Sequence, residues 1–272
     1  MHDLIDIGVN LGSRQFGRDR EAVIQRARAA GVRRMVVTGT TVEATRTAVA
    51  LARERPGVLF ATSGIHPHES SRASREALEE IAVLSRAPEV RAIGECGLDF
   101  DRDFSPRPAQ EAAFEAQLEL AVERKLPVFL HERAAHDRFI AILSKFRPRL
   151  SAAVVHCFTG GARELDAYLA LDLHIGITGW ICDERRGTGL RPLTARIPAD
   201  RLMIETDAPY LTPPVEKKSR RNEPAFLTHV LEAVARAAGR PPEQVAAETT
   251  RVAELFFRLG QSFPPAGHTI ST

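Results

Sequence analysis

Eight short apolar runs recur along the chain at fairly even intervals, and each is dense in Val, Ile and Leu without regular polar alternation. This pattern is typical of strands that are buried on both faces of a parallel sheet. We therefore predict eight buried strands. They are Leu4–Val9, Arg34–Thr38, Val58–Ser63, Val90–Gly94, Pro127–Leu130, Ala152–Val155, Leu173–Ile177 and Arg201–Ile204.

Segments with a helical spacing of apolar residues lie between these runs, so strand and helix alternate. Examples are Arg20–Ala30, Val42–Arg55, Ala73–Ser85, Pro108–Lys125 and Ala162–Leu171, and two more, Glu223–Ala238 and Pro242–Leu259, follow the eighth strand. Eight units in 272 residues leave about 34 residues for each, and no GxGxxG follows the first strand. The sequence therefore predicts one α/β domain, a (β/α)8 TIM barrel over residues 1–260, with a loose tail over 261–272.

The composition excludes several broad classes of protein. A hydrophobic fraction of 44% argues against disorder, and 37 basic against 35 acidic residues make any anion-binding site a local one. Three cysteines without CxxC spacing indicate neither a disulfide framework nor a thiolate zinc site. With no leader-like start and no apolar run of membrane-span length, we expect a cytoplasmic monomer without membrane contact.

Histidine or carboxylate residues follow five of the eight predicted strands. In a barrel the carboxyl ends of the strands form one ring, and chemistry is placed there. The segments at these ends are Gly64-Ile65-His66-Pro67-His68, Gly94-Glu95-Cys96-Gly97-Leu98-Asp99, His131-Glu132-Arg133, His156-Cys157-Phe158-Thr159-Gly160 and Glu205-Thr206-Asp207-Ala208-Pro209-Tyr210. The first strand ends in Asn10.

Four of these residues predict a metal centre: Glu95, His131, His156 and Asp207. Two imidazoles and two carboxylates suit a divalent cation, which can activate water without a nucleophilic side chain. Any single histidine at a strand end is more often simply hydrogen-bonded and buried. Four such groups at the same end of their strands are harder to explain without a cation.

These segments together resemble, over nearly the whole chain, the TatD family of metal-dependent deoxyribonucleases within the amidohydrolase-like barrels. The opening Asp6-Ile7-Gly8-Val9-Asn10-Leu11 and the late Arg220-Arg221-Asn222-Glu223-Pro224 are similar to TatD proper. The resemblance implies hydrolysis of DNA from its 3′ end, a preference for single strands, some activity on RNA and a role in DNA repair or degradation. It also implies one or two divalent ions, with Mg²⁺ preferred and Mn²⁺ or Zn²⁺ as alternatives.

The resemblance carries roles onto individual residues. Glu95, His131, His156 and Asp207 match the metal ligands, with Glu95 as a bridge between ions and Asp207 as a ligand or proton acceptor. His66 matches a position near the scissile phosphate, so the implied catalytic residues are Asp207, Glu95 and His66. The implied supporting residues are His68, Asp99 and Arg133.

One departure from many relatives lies in the first strand, where His-x-His is replaced by Gly8-Val9-Asn10. Two imidazole ligands are missing, and the Asn10 side chain offers a neutral oxygen better suited to Mg²⁺ than to Zn²⁺. One metal position should then be weak, filled only with substrate, or empty. TatD proper shares this departure.

Three long loops, at 100–108, 179–189 and 211–222, are predicted to wall the site and hold a strand of nucleic acid. The residues expected to bind substrate are His66, His68, Arg133, Trp180, Lys217, Lys218, Arg220 and Arg221. Arg133 can grip a phosphate in bidentate fashion, and Trp180 offers a face to a base. Arg185-Arg186 is as readily a solvated surface pair, and Tyr210 is interpreted mainly as barrel-end packing, with Phe158 left open.

Two rival functions remain open from the sequence. A small-molecule amidohydrolase would use the same ions, although such enzymes often place a carboxylated lysine on the fourth strand, where this chain has Glu95. A non-catalytic nucleic-acid binder with a decayed metal site would account for the missing first-strand histidines.

Overall fold

The computed structural model describes residues 2–216 and 221–260, and its eight parallel strands form one sheet in sequence order. This confirms the predicted (β/α)8 TIM barrel. The strands are β1 (Leu4–Val9), β2 (Val32–Val37), β3 (Leu59–Ser63), β4 (Val90–Asp99), β5 (Val128–Arg133), β6 (Ala153–Val155), β7 (His174–Ile177) and β8 (Leu202–Ile204).

The first strand meets the segment that follows the last one. The Asp207 N–H donates to the carbonyl of Gly8 at 2.9 Å, and the Asn10 N–H donates to the carbonyl of Ala208 at 2.7 Å. A parallel bridge between Val9 and Ala208 lies between these two bonds. The ring of strands is thereby joined at the carboxyl end, where Asp207 and Asn10 are brought side by side.

Helices follow the strands in alternation. They are α1 (Arg20–Ala29), α2 (Val42–Glu54), α3 (Arg75–Leu84), α4 (Arg107–Arg124), α5 (His136–Phe146), α6 (Ala162–Ala170), α7 (Gly187–Thr194), α8 (Leu227–Ala238) and α9 (Pro242–Phe257). Helix α7 starts inside a predicted loop, and its Gly and Pro residues explain why the pattern did not indicate a helix. Within the described ranges, no helix combines the length and apolar character needed to cross a bilayer.

Strands β4 and β5 run further than the sequence predicts, to Asp99 and Arg133. Their extensions pair with each other, Gly97 opposite His131 and Asp99 opposite Arg133. Gly97 has φ +145°, and a Cβ there would lie 1.9 Å from the carbonyl oxygen of His131. Glycine therefore permits the close approach of these two strands, which brings Glu95 and His131 together.

Helix α9 closes the amino-terminal mouth of the barrel. Its Phe256 and Phe257 belong to the apolar cluster formed by inward residues of the strands, including Ile5 and Met203. The ring of Phe257 lies 6.5 Å from that of Phe129, which points into the barrel from β5. Because α9 fills the amino-terminal end of the barrel, the open end is the carboxyl end of the strands.

Candidate metal centre and substrate cavity

A cavity of about 710 Å³ opens at the carboxyl ends of the strands. Glu95, His131, His156 and Asp207 all line it, although they lie on four different strand ends. The structure therefore brings the four predicted ligands to one place. Because β4 and β5 are extended, Glu95 and His131 lie within their strands rather than after them.

Glu95 is the centre of the cluster and is 5% exposed. Its Oε1 lies 2.7 Å from His156 Nε2, 2.9 Å from His131 Nδ1 and 3.2 Å from His66 Nε2. Although burial opposes ionisation, the neighbouring imidazoles of His156, His66 and His131 hold the pKa of Glu95 well below its ordinary value. Three imidazole nitrogens thus converge on one carboxylate oxygen.

His66 belongs to this cluster more closely than the sequence indicates. Its Nε2 lies 3.3 Å from Nδ1 of His131, and its Nδ1 accepts the backbone N–H of His68 at 3.1 Å. Burial lowers the pKa of His66 to about 4, so the ring is neutral. Because Nδ1 accepts a hydrogen bond, the single ring proton is on Nε2, which faces Glu95 Oε1. Within 2–216 and 221–260, the atoms of His66, Glu95 and His131 form a group that could hold a metal ion.

Asp99 orients two of the histidines. Its Oδ2 lies 2.7 Å from His68 Nε2 and 3.4 Å from His131 Nε2. Although burial works against it, the hydrogen bond from His68 and the nearby imidazole of His131 lower the pKa of Asp99. A carboxylate on the far nitrogen of a metal-binding imidazole fixes the tautomer of the ring, and Asp99 is placed to do this for His131.

Two buried glutamines on α4 hold the loops that carry these residues, and sequence reasoning missed both. Gln110 accepts the Asp99 N–H at 2.8 Å and donates to the Asp99 carbonyl at 3.1 Å. Gln117 makes the same pair of bonds to Ile65, at 2.8 and 3.0 Å. Their spacing of seven residues, on one helix face with buried neighbours, was the available signal.

Asp207 lines the same cavity as Glu95. Its Oδ1 accepts a hydrogen bond from Asn10 Nδ2 at 3.1 Å. Desolvation in the cavity raises the pKa of Asp207 to about 8. The Asn10 amide therefore contacts the carboxylate of Asp207 through its nitrogen, whereas the sequence suggested a role for its oxygen as a cation ligand.

The basic residues predicted to bind substrate differ in their placement. Arg133 lines the cavity, is 40% exposed and contacts Asp101 at 3.0 Å. Arg221 contacts Asp19 through both guanidinium nitrogens, at 2.7 and 2.8 Å, and lies outside the lining of the cavity. The predictions for Lys217, Lys218 and Arg220 lie outside the described residues.

The placement of the aromatic residues at the cavity differs from the sequence interpretation for Tyr210. Phe158 is packed, with 2% exposure, but Tyr210 is 53% exposed and lines the cavity, so its interpretation as barrel-end packing was wrong. The backbone of Tyr210 is held in a turn by Asp207, which leaves the ring outside the core.

Trp180 also lines the cavity and is half-buried, beneath the guanidinium of Arg186. Phe104, which the sequence analysis passed over, is 67% exposed at the same rim.

The donor set fits a divalent cation. Neutral imidazole and ionised carboxylate are ligands for Zn²⁺ and Mn²⁺, and the converging atoms here are nitrogens and one carboxylate oxygen. Since the cluster lines an open cavity, a cation held by it would be reachable by water and by a substrate.

Comparison with known proteins agrees with this architecture. The family model described as TatD related DNase matches residues 5–258. A protein of Erwinia billingiae named 3′-5′ ssDNA/RNA exonuclease TatD is 52% identical over 259 residues, covering 94% of this chain and 99% of the relative. A Salmonella typhimurium protein of the same name is 49% identical, with 94% and 99% coverage. The crystal structure of YJJV, a TatD homolog from Escherichia coli K12, superimposes with a TM-score of 0.87 at 30% identity, covering 94% and 98% of the two chains. The barrel and its histidine and carboxylate cluster are thus those of a protein that belongs to the TatD related DNase family.

Proposed function

We propose that this protein is a metal-dependent exonuclease that removes nucleotides from the 3′ end of single-stranded DNA and also acts on RNA. The observation that carries the proposal is the convergence of three imidazole nitrogens on Glu95 Oε1 at the wall of an open cavity. The relatives at about half identity that are named exonucleases support the choice of substrate.

The residues proposed to hold one or two cations are Glu95, His131, His156 and Asp207, all of which line the cavity. His66, which groups with Glu95 and His131, is proposed as a further ligand. A cation in this position lowers the pKa of water and stabilises charge on the phosphate. The resemblance to TatD favours Mg²⁺, whereas an imidazole-rich set is the chemistry that Mn²⁺ and Zn²⁺ prefer. The ion is therefore a variable of the experiment below.

The contacts support proposed roles for the remaining residues. Asp207, which lines the cavity and is oriented by Asn10, accepts a proton from the attacking water. Asp99 holds His131 and His68 in orientation, and His68 presents one ring edge to the cavity. Arg133, exposed on the same wall, offers its guanidinium to a backbone phosphate.

Removal of divalent ions is expected to stop the reaction. We expect 5′-labelled single-stranded oligonucleotides to shorten stepwise from the 3′ end in the presence of Mg²⁺ or Mn²⁺, because the cation supplies the charge that phosphodiester attack requires. Gel analysis across Mg²⁺, Mn²⁺, Zn²⁺ and a chelator measures this, with duplex DNA and RNA in parallel.

The same experiment tests the rival functions. Cleavage that persists in excess chelator would contradict the metal centre. Turnover of a cyclic amide without any cleavage of nucleic acid would favour an amidohydrolase. Binding of oligonucleotide without cleavage under every ion would indicate a decayed site.

Phe104 is expected to stack against a base of the bound strand. Its ring is exposed at the cavity rim and lies 4.7 Å from the ring of His68, edge to face. Loss of one base stack costs about 1–3 kcal/mol, so Phe104→Ala should raise KM by roughly 5- to 150-fold with little change in kcat. Steady-state kinetics on short oligonucleotides measures this.

Two controls separate stacking from general loss of apolar surface. Phe104→Trp should keep the wild-type KM, and Val83→Ala, at an equally exposed apolar position on α3, should change nothing. Oligonucleotides with abasic sites near the 3′ end should make wild type and Phe104→Ala equal. A KM difference that remains on abasic substrates would contradict the stacking role of Phe104.

A further inference from the structure

The carboxylate of Glu205 is buried directly beneath the proposed metal centre and has no role in the function proposed so far. Glu205 follows β8 and is 0% exposed. A fully buried carboxylate costs several kcal/mol unless neighbouring groups compensate its charge. The contacts of this side chain therefore indicate what the carboxylate does.

One oxygen of Glu205 binds the segment that carries His156. Oε1 accepts the backbone N–H of Cys157, the next residue, at 2.6 Å. Oε2 lies 3.5 Å from His156 Nδ1, and both atoms are buried without a hydrogen-bond partner within 2–216 and 221–260. Because His156 Nε2 faces Glu95 at 2.7 Å, the imidazole lies between two carboxylates, one at each ring nitrogen.

Two glycines leave the space that Glu205 occupies. A Cβ at Gly8 in β1 would lie 2.3 Å from Glu205 Oε2, and a Cβ at Gly176 in β7 would lie 2.6 Å from Oε1. Both distances are far inside van der Waals contact, so any side chain at either position displaces the carboxylate.

We propose that Glu205 is a positioning residue that holds His156 with its proton on Nδ1, which leaves Nε2 as the lone-pair donor toward the cation. Metal-binding imidazoles commonly donate their second N–H to a carboxylate, and loss of that partner typically lowers metal affinity about 10- to 100-fold. Glu205 does for His156 what Asp99 does for His131. This inference rests on the metal centre proposed above, but not on the identity of the substrate.

Direct titration of Mn²⁺ into the whole protein, without nucleic acid, tests the inference. In Glu205→Gln the amide oxygen can still accept the Cys157 N–H, but the NH₂ group then faces His156 Nδ1. This arrangement favours the tautomer with the proton on Nε2, which cannot bind a cation. We expect Mn²⁺ affinity to fall about 10- to 100-fold with an unchanged circular dichroism spectrum.

A double-mutant cycle separates positioning from a merely structural role. If Glu205 acts through His156, the Glu205→Gln/His156→Ala double variant should bind Mn²⁺ as weakly as His156→Ala alone. Additive losses would overturn the inference and make Glu205 an independent ligand or a structural group. Wild-type affinity in Glu205→Gln would also overturn it.

Gly8→Ala provides a second variant in case Glu205→Gln does not fold. Its new Cβ should displace the Glu205 carboxylate and weaken Mn²⁺ binding in the same way, whereas Gly189→Ala, with no atom within 4 Å of the added Cβ, is the matched control. Unchanged Mn²⁺ affinity in folded Gly8→Ala would contradict the role of Glu205. A wild-type protein that binds no Mn²⁺ would instead contradict the metal centre itself.

Discussion

Replacement of Glu95 by Gln is expected to reduce cleavage of single-stranded DNA by about 10³-fold or more. Removal of one preorganised electrostatic contact typically costs about 10²–10³ in rate, and Glu95 contacts three histidines at once. The amide would present one donor group to nitrogens that need an acceptor or a shared cation. Single-turnover cleavage with saturating Mn²⁺ measures the loss.

The control for this variant is Glu248→Gln on α9. Glu248 also has its carboxylate in hydrogen bonds, to Arg240 at 2.5 Å and Gln244 at 2.7 Å, but it lies outside the cavity. Its activity should match wild type, while thermal melting reports on any common loss of stability. If metal-loaded Glu95→Gln kept more than a tenth of wild-type activity, the central role proposed for Glu95 would be contradicted.

Asp207→Asn is expected to lower kcat by about 10²–10⁴, the range typical for loss of a general base. The amide keeps the size of the side chain but cannot accept the proton of the attacking water. Asn10→Ala removes only the hydrogen bond that orients Asp207. Its kcat should therefore fall by only about 10-fold, because Asp207 is misoriented but still present. Rapid-quench kinetics at saturating metal and substrate compares the three proteins.

Mn²⁺ titration of the same variants separates the two roles that the sequence leaves open for Asp207. Retained Mn²⁺ affinity with lost kcat identifies Asp207 as the proton acceptor. Parallel loss of affinity and kcat, recovered at high metal concentration, would make it a ligand instead. A fully active Asp207→Asn would exclude both roles.

The ring of site residues could be predicted because barrel geometry converts sequence position into spatial position. Glu95 and His156 are 61 residues apart, but each comes at the end of an apolar run, and the carboxyl ends of parallel strands meet in one ring. The same rule places His66 at the site, but it cannot give the distance between His66 and Glu95. Strand order thus brings the ends together, whereas side-chain direction decides the contacts.

The residues that sequence reasoning missed are defined by contacts that leave no local pattern. Gln110 and Gln117 look like ordinary polar positions of a surface helix, yet both are buried against backbone groups of the site. Phe104 stands in a polar loop, where a single aromatic residue is equally consistent with packing. Glu205 could be assigned only once the space beside Gly8 was known.

The packing of α9 against the inner residues of β1 has a consequence for synthesis of the chain on the ribosome. The interior contains Ile5 near the amino terminus and Phe257 from a helix that begins at residue 242. The inner face of β1 is therefore not covered until almost the entire polypeptide has been synthesised. Contacts between residues so far apart in the sequence slow folding. A nascent chain that stalls before α9 would present this apolar interior to chaperones and proteases.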